Sequence, residues 1–238
     1  MASASEVVLD GLTLTLEDVE RVALDLSVRV RLSDEAVERM VASRNFIEEL
    51  VDAGEPVYGV TTGFGRLADV AVAPDEREAL QRNLVRSHAS GVGSPMDRAS
   101  VRALMLLRAN ALARGNSGCR VLVVEQLLEL LNAGIHPRVP EFGSVGASGD
   151  LAPLAHVALG LLGEGLAEYS GDEQSVETAM ATEGIAPLTL GSKEGLALIN
   201  GTQATTGLGL LALRAAERAV EVAEVAGAMS LEALLGTP

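Results

Sequence analysis

The chain has 238 residues, a formal charge of −15, and apolar side chains at 48% of positions against 21% charged. That is enough apolar surface for one large or two small packed domains and too little charge for a disordered chain. The acidic balance argues against a nucleic-acid partner, which needs Lys and Arg for its phosphates, and the single cysteine, Cys119, excludes an internal disulfide and suits a reducing cytoplasm.

Trp is absent, and only Phe46, Tyr58, Phe64, Phe142 and Tyr169 are aromatic. The core must then be Ala, Leu and Val, a palette that favours closely packed helices. The opening MASASEVVLDG has neither a basic nor an apolar leader region, so no secretory signal is expected. Val7-Val8-Leu9 and Leu12-Thr13-Leu14-Thr15-Leu16 are expected to pair as a small hairpin through Asp10-Gly11. Ser33 caps a predicted helix that runs through Val37, Met40, Val41 and Ile47 to Gly54. Pro74-Asp75 opens another that carries Leu80, Leu84 and Val85, and helices over 97–114 and 120–132 are closed by Gly115 and Gly134. The most apolar stretch, 151–166, is broken by His156 and Glu164 and reads as a core helix, so no membrane span is expected.

A last helix is expected over about 202–235, roughly 50 Å long at 1.5 Å per residue. Its charges, Arg214, Glu217, Arg218, Glu221 and Glu224, fall on one narrow stripe, and the rest of its circumference is Ala, Leu and Val. Such a helix is wetted along one edge and buried elsewhere, as in a bundle. The chain has too few long elements to cover it, so partners are expected from another subunit or from sequence beyond Pro238. On this reading the chain is truncated.

The densest glycine cluster is Gly143-Ser144-Val145-Gly146-Ala147-Ser148-Gly149-Asp150, followed by Leu151-Ala152-Pro153-Leu154-Ala155-His156. The glycines permit backbone angles that other residues avoid, and the segment enters a helix with Asp150 at its cap and Pro153 in its first turn. Amide donors at that helix end would face a group in the loop that develops negative charge. Taken alone, the pattern also fits an ordinary turn before a helix. Two other motifs are set aside. Gly207-Leu208-Gly209-Leu210-Leu211-Ala212 fits a relaxed dinucleotide pattern, but it sits inside a helix with no strand before it. Ser148 with Asp150 and His156 lacks the nucleophile elbow of a serine hydrolase. His136 and His156 are read as structural, and three scattered histidines with one cysteine give no metal-ligand spacing.

GSVGASGDLAPLAH resembles the signature of the aromatic amino acid lyases, and VYGVTTGFG (57–65), NLVRSHASGVG (83–93), RANALARGNSG (108–118), NAGIHPRVPEFGS (132–144) and KEGLALINGTQ (193–203) resemble further family segments in the family's order. The resemblance is to the N-terminal half only. It implies a mainly α fold with minor β structure: a prosthetic-group domain over 1–201, then the start of a helical bundle over 202–238. It also implies that Ala147-Ser148-Gly149 cyclises to 4-methylidene-imidazole-5-one (MIO). The Gly149 nitrogen closes on the Ala147 carbonyl, and Ser148 becomes the electrophilic carbon; no diffusible cofactor or metal is implied.

By the same resemblance Tyr58 is the catalytic tyrosine, the base for the substrate's β-proton. A phenol with an ordinary pKa near 10 needs neighbouring positive potential for that task. Gly59, Gly63 and Gly65 would let its loop fold over the site and exclude water. Asn200 contacts the prosthetic ring or the substrate's amino-acid moiety. Ser87-His88 matches histidine-specific members, the histidine ammonia-lyases, which form urocanate and ammonia; phenylalanine and tyrosine lyases tend to carry Phe-Leu or His-Leu. An imidazole at position 88 can exchange a hydrogen bond with a substrate imidazole. Thr61 stands where the family usually has Asn. The resemblance further implies a homotetramer, with residues of the other half completing the site. Two rival readings are a tyrosine or phenylalanine ammonia-lyase or aminomutase, and a non-catalytic folding or assembly fragment.

Overall fold

A computed structural model describes residues 6–54, 56–63, 72–73 and 76–237. The order of elements is β1 (Glu6–Leu9), α1 (Leu16–Leu24), β2 (Arg29–Leu32), α2 (Asp34–Ala53), α3 (Arg77–His88), β3 (Val92–Pro95), α4 (Arg98–Ala113), α5 (Val121–Ala133), β4 (His136–Pro137), β5 (Pro140–Phe142), α6 (Leu151–Leu161), β6 (Leu166–Tyr169), β7 (Asp172–Ser175), α7 (Val176–Glu183), α8 (Glu194–Ile199) and α9 (Gln203–Ala233). The fold is mainly α, and its small sheets are β1–β2, β3–β5 and β4–β6–β7.

The caps read from sequence hold. Ser33 accepts from Ala36 N, and Gly54 closes α2 in the left-handed conformation; Asp97 caps α4 through Ser100 N, and Gly134 closes α5. Pro74 and Asp75, expected to open α3, lie outside the described residues. The hairpin does not form. β1 pairs in parallel with β2, in the register Glu6 to Arg29 and Leu9 to Leu32. The Asp10 carboxylate accepts from Leu12 N and Thr13 N, each at 2.8 Å, and turns the chain away from a hairpin. Thr15 and Asp18 then form a capping box that starts α1 where a second strand was expected. Local hydrogen bonding thus overrides the apolar alternation of 12–16.

α4 is the axis of the molecule, packed against α1, α2, α5 and α9. Its Val101, Leu104, Met105, Leu106, Ala109 and Leu112 are buried, and Val123, Val124, Leu127, Leu130 and Leu131 of α5 join them. Phe46, Tyr58 and Phe142 are exposed, so this is an aliphatic core. Buried with it is Arg102, whose Nε donates to Val22 O at 2.8 Å and Nη1 to Leu131 O and His136 Nε2, both at 3.0 Å.

α9 leaves its apolar second half uncovered, as expected, and departs from expectation in its charged stripe. Ala204, Gly207 and Leu210 pack inward, with Gly207 close to Ala103 of α4. Beyond them Val220, Val222, Val225 and Met229 are each at least 59% exposed. The charged stripe is not simply solvated, because Arg214 and Arg218 both pair with Glu20 of α1, the first at 2.9 Å. The stretch 194–233 is also long and apolar enough, by length and composition, to cross a membrane, contrary to the reading from 151–166. It is broken between Ile199 and Gln203, and it carries the five stripe charges, which a bilayer core disfavours.

Burial and the adjacent Arg102 and Arg98 charges depress the His136 pKa from 6.5 to about 3. His136 is therefore neutral in the fold. Below pH ~6.5 the unfolded chain takes up a proton that the folded chain refuses until about pH 3. Its contribution is complete above pH ~6.5 and is lost as pH falls toward 3. Thermal melts across this window should show His136→Gln flattening the acid loss of stability. At neutral pH the variant should cost about 1–3 kcal/mol through the disturbed Arg102 bond. An unchanged pH slope would refute this assignment.

Candidate active site

Residues 143–150 leave β5 through a narrow slot. A Cβ on Gly143 would lie 2.9 Å from Ala152 Cβ and 3.3 Å from Gly91 Cα, so α6 and the segment after α3 both crowd this point. The chain then closes on itself. Val145 N donates to Gly149 O at 3.0 Å, Ser148 N to Val145 O at 3.2 Å, and Gly149 N to Gly146 O at 2.9 Å. The result is a single 3-10 turn over Gly146–Ser148. Gly149 has φ +125° and ψ 154°, a region open to glycine and costly for other residues. Ala147 and Ser148 are exposed, while Gly149 and Asp150 are buried.

Asp150 does not use its side chain to cap α6. Its carboxylate crosses to the start of α9, accepting from Thr205 N at 2.8 Å and Thr205 Oγ1 at 2.9 Å, with Ser144 Oγ as a further donor. α9 has no side-chain cap from Thr202, so Asp150 satisfies one of its orphan amides from a distance. The Asp150 backbone N–H donates to Gly201 O at 2.7 Å, which joins the loop to the Asn200–Gly201 turn between α8 and α9. α6 begins directly behind Gly149, with Leu154 N bonded to Asp150 O at 3.0 Å, so its positive end faces the loop.

Asn200 is exposed and follows α8, whose start is fixed by Glu194. Burial by itself would raise the Glu194 pKa. Hydrogen bonds from the Arg120 side chain and backbone and from Gly191 N outweigh burial and hold it below its usual range. The Asn200 carbonyl accepts from buried Arg108 of α4 at 3.1 Å. Burial lowers the Arg108 pKa to about 10, which leaves the guanidinium charged at neutral pH.

His88 is the last residue of α3. Its Nδ1 lies 2.8 Å from Leu84 O and 3.2 Å from Ser87 Oγ. A carbonyl only accepts, so Nδ1 carries the proton and, in the neutral ring, Nε2 offers a lone pair. The following segment is tied to α6, because Gly91 N donates to His156 Nε2 at 3.2 Å. His156 is held neutral by burial, which lowers its pKa. His88, the 147–149 loop and Asn200 therefore sit at ends of α3, α6 and α8, helices that pack on one another.

Tyr58 lies on a turn in which Val60 N, Thr61 N and Thr62 N all approach Val57 O at 3.0–3.3 Å, and it is 55% exposed. Gly59 takes φ +70° there; Gly65 lies outside the described residues. Clefts of about 240 and 420 Å³ surround Arg98, His136 and Glu168, and neither is lined by a residue singled out from the sequence as catalytic or substrate-binding. Among the described residues no three His, Cys, Asp or Glu side chains are grouped to hold a metal ion. Sequence reasoning missed Ser144, Thr205 and Arg108. Arg108 left a trace, as one of two buried arginines within a helix whose other buried positions are mostly apolar.

A family profile described as aromatic amino acid lyase matches residues 14–238. The histidine ammonia-lyase of Caldanaerobacter subterraneus subsp. tengcongensis is 52% identical over 231 residues, which is 97% of this chain and 45% of that protein. A solved histidine ammonia-lyase from Trypanosoma cruzi superposes with a TM-score of 0.91 at 40% identity, over 98% of this chain and 44% of that one. A tyrosine aminomutase from Streptomyces globisporus gives a TM-score of 0.81 at 43% identity, over 87% of this chain and 38% of that one. The chain spans less than half the length of the curated relatives it matches. With the profile covering nearly the whole sequence, the chain belongs to the aromatic amino acid lyase family.

Proposed function

We propose that this chain is the prosthetic-group-forming part of a histidine ammonia-lyase, converting L-histidine to trans-urocanate and ammonia. The observation that carries the reading is the Gly149 backbone, which only glycine adopts readily, in a loop clamped at Asp150 with Ser148 exposed beside it. These residues fit an MIO group. Ala147 supplies the carbonyl, Ser148 the hydroxyl and Gly149 an unhindered nitrogen, whose N–H must leave Gly146 O for the ring to close. The ring would supply an electrophilic carbon at position 148 for the substrate's amine. Tyr58 takes the β-proton, and Asn200 orients the amino-acid moiety. His88 accepts the substrate's imidazole N–H at Nε2, a donor that a phenyl ring lacks. The likeness to a tyrosine aminomutase favours a second reading within the family, and Ser87-His88 is what argues against it.

Within this proposal the prosthetic-group domain covers 1–201 and the bundle begins at 202, the boundary falling in the turn after α8. We assign the chain to the cytoplasm on its single buried thiol, Cys119, and to a homo-oligomer, a tetramer in the family it resembles, on the bare face of α9.

Four measurements test the reading. The intact mass of the purified chain should fall two waters short of its sequence, and Ser148→Ala should abolish the deficit; equal deficits in both would overturn the site. In a full-length lyase carrying this segment, Ser87→Phe with His88→Leu should weaken histidine turnover roughly tenfold or more and favour phenylalanine. An unchanged preference would mean another residue reads the imidazole. Light scattering should find the chain self-associated, and Val222→Glu with Val225→Glu should reduce that; a monodisperse wild-type monomer would refute the claim. Urocanate formation by this chain alone, at rates near an intact enzyme's, would show that no further residues are required.

A further inference from the structure

We propose that Arg108 is a positioning residue for this site, fixing the Asn200–Gly201 turn and, through it, the backbone that must cyclise. The inference rests on the MIO reading above. Arg108 is 5% exposed, on the helix that forms the core. Its Nη1 donates to Asn200 O and to Gln203 Oε1, both at 3.1 Å, and its Nε is buried without a partner. Among the described residues no carboxylate pairs with it. A buried guanidinium without a counter-ion is costly, and its neutral acceptors here are the turn after α8 and the first residue of α9.

Gly201 reports how tightly the charge is fitted. Its φ is not left-handed, so backbone freedom does not explain the glycine. Space does. A Cβ at 201 would collide with Gln203 Oε1 and come within 2.6 Å of Arg108 Nη1. The Gly201 carbonyl, held in this way, accepts the Asp150 N–H at 2.7 Å, one residue beyond the nitrogen that closes the ring. In that closure the Gly149 nitrogen bonds to the Ala147 carbonyl carbon, whose oxygen leaves as one water. Ser148 then loses its hydroxyl and α-hydrogen as the second. Nothing in this step needs an oxidant or a metal. It needs two backbone atoms held in register, and small misplacements of reacting atoms cost orders of magnitude in rate. The same guanidinium fixes the main chain from which the Asn200 side chain projects.

The test is the mass of the purified chain followed over time, alongside its melting temperature, for wild type, Arg108→Met, Arg108→Lys and Gly201→Ala. Methionine keeps much of the volume but removes the charge and both donors. Alanine at 201 displaces the guanidinium without deleting it and guards against a variant that fails to fold. Loss of the two waters should slow on the order of tenfold or more in Arg108→Met and Gly201→Ala. Arg108→Lys should recover part of the rate while melting no higher than Arg108→Met. Wild-type rates in both Arg108→Met and Gly201→Ala would overturn the proposal. So would slowing that merely tracks melting temperature across the variants, with no rescue by lysine. A wild-type chain that keeps both waters would instead sink the MIO reading, and this inference with it.

Discussion

The buried carboxylate of Asp150 is the constraint on which the arrangement of the site depends. A fully buried carboxyl group is tolerated only where hydrogen-bond donors converge on it, and here they come from Ser144 on one side and from Thr205 N–H and Oγ1 on the other. Ser144 precedes the turn that carries Ala147 and Ser148, while Thr205 lies in the first turn of α9. One side chain thus joins the glycine-rich loop to the N-terminal end of α9. The neighbouring backbone bond to Gly201 O adds the turn after α8 to the same knot. The loop is held at both ends, by Ser144 and by Asp150, while residues 147 and 148 face outward.

Charge burial recurs inside α4. Arg102 and Arg108 stand six residues apart on a helix otherwise lined with Val, Leu, Met and Ala, and both use carbonyl oxygens as acceptors. Arg102 ties α4 to the end of α1, to α5 and to neutral His136, within the part of the molecule that bears the small sheets. Arg108 ties the same helix to the turn that meets the 143–150 loop. The apolar axis of the fold therefore carries two polar anchors, one structural and one beneath the candidate site. Such groups contribute little net stability, because desolvation offsets their hydrogen bonds.

The extended apolar face of α9 stands apart from this economy of burial. Its first two turns pack on α4 and its arginines reach Glu20, yet the second half carries Val, Met and Leu into solvent. Among the described residues nothing covers this face, and exposed apolar surface of this extent gains nothing from water.

Much of this was legible in the residues. Caps and stops at Ser33, Gly54, Asp97, Gly115 and Gly134 are local signals, because each is satisfied within a few residues of itself. The GSVGASGDLAPLAH segment carried the resemblance to the lyase family, and that resemblance implied the candidate chemistry; taken alone, the segment also fits a turn before a helix. The Asp10-Gly11 hairpin failed because a capping box from Thr15 to Asp18 competed with strand alternation, and only the pairing available from β2 decided between them. Asp150 was legible as a residue at a helix start, but not as the cap of α9, more than fifty positions away. Nor could the sequence show that Gly201 is small to admit a guanidinium from α4. Local geometry is written in local sequence. Which distant donor compensates a buried charge is decided by packing alone, because it depends on which helices come to lie side by side.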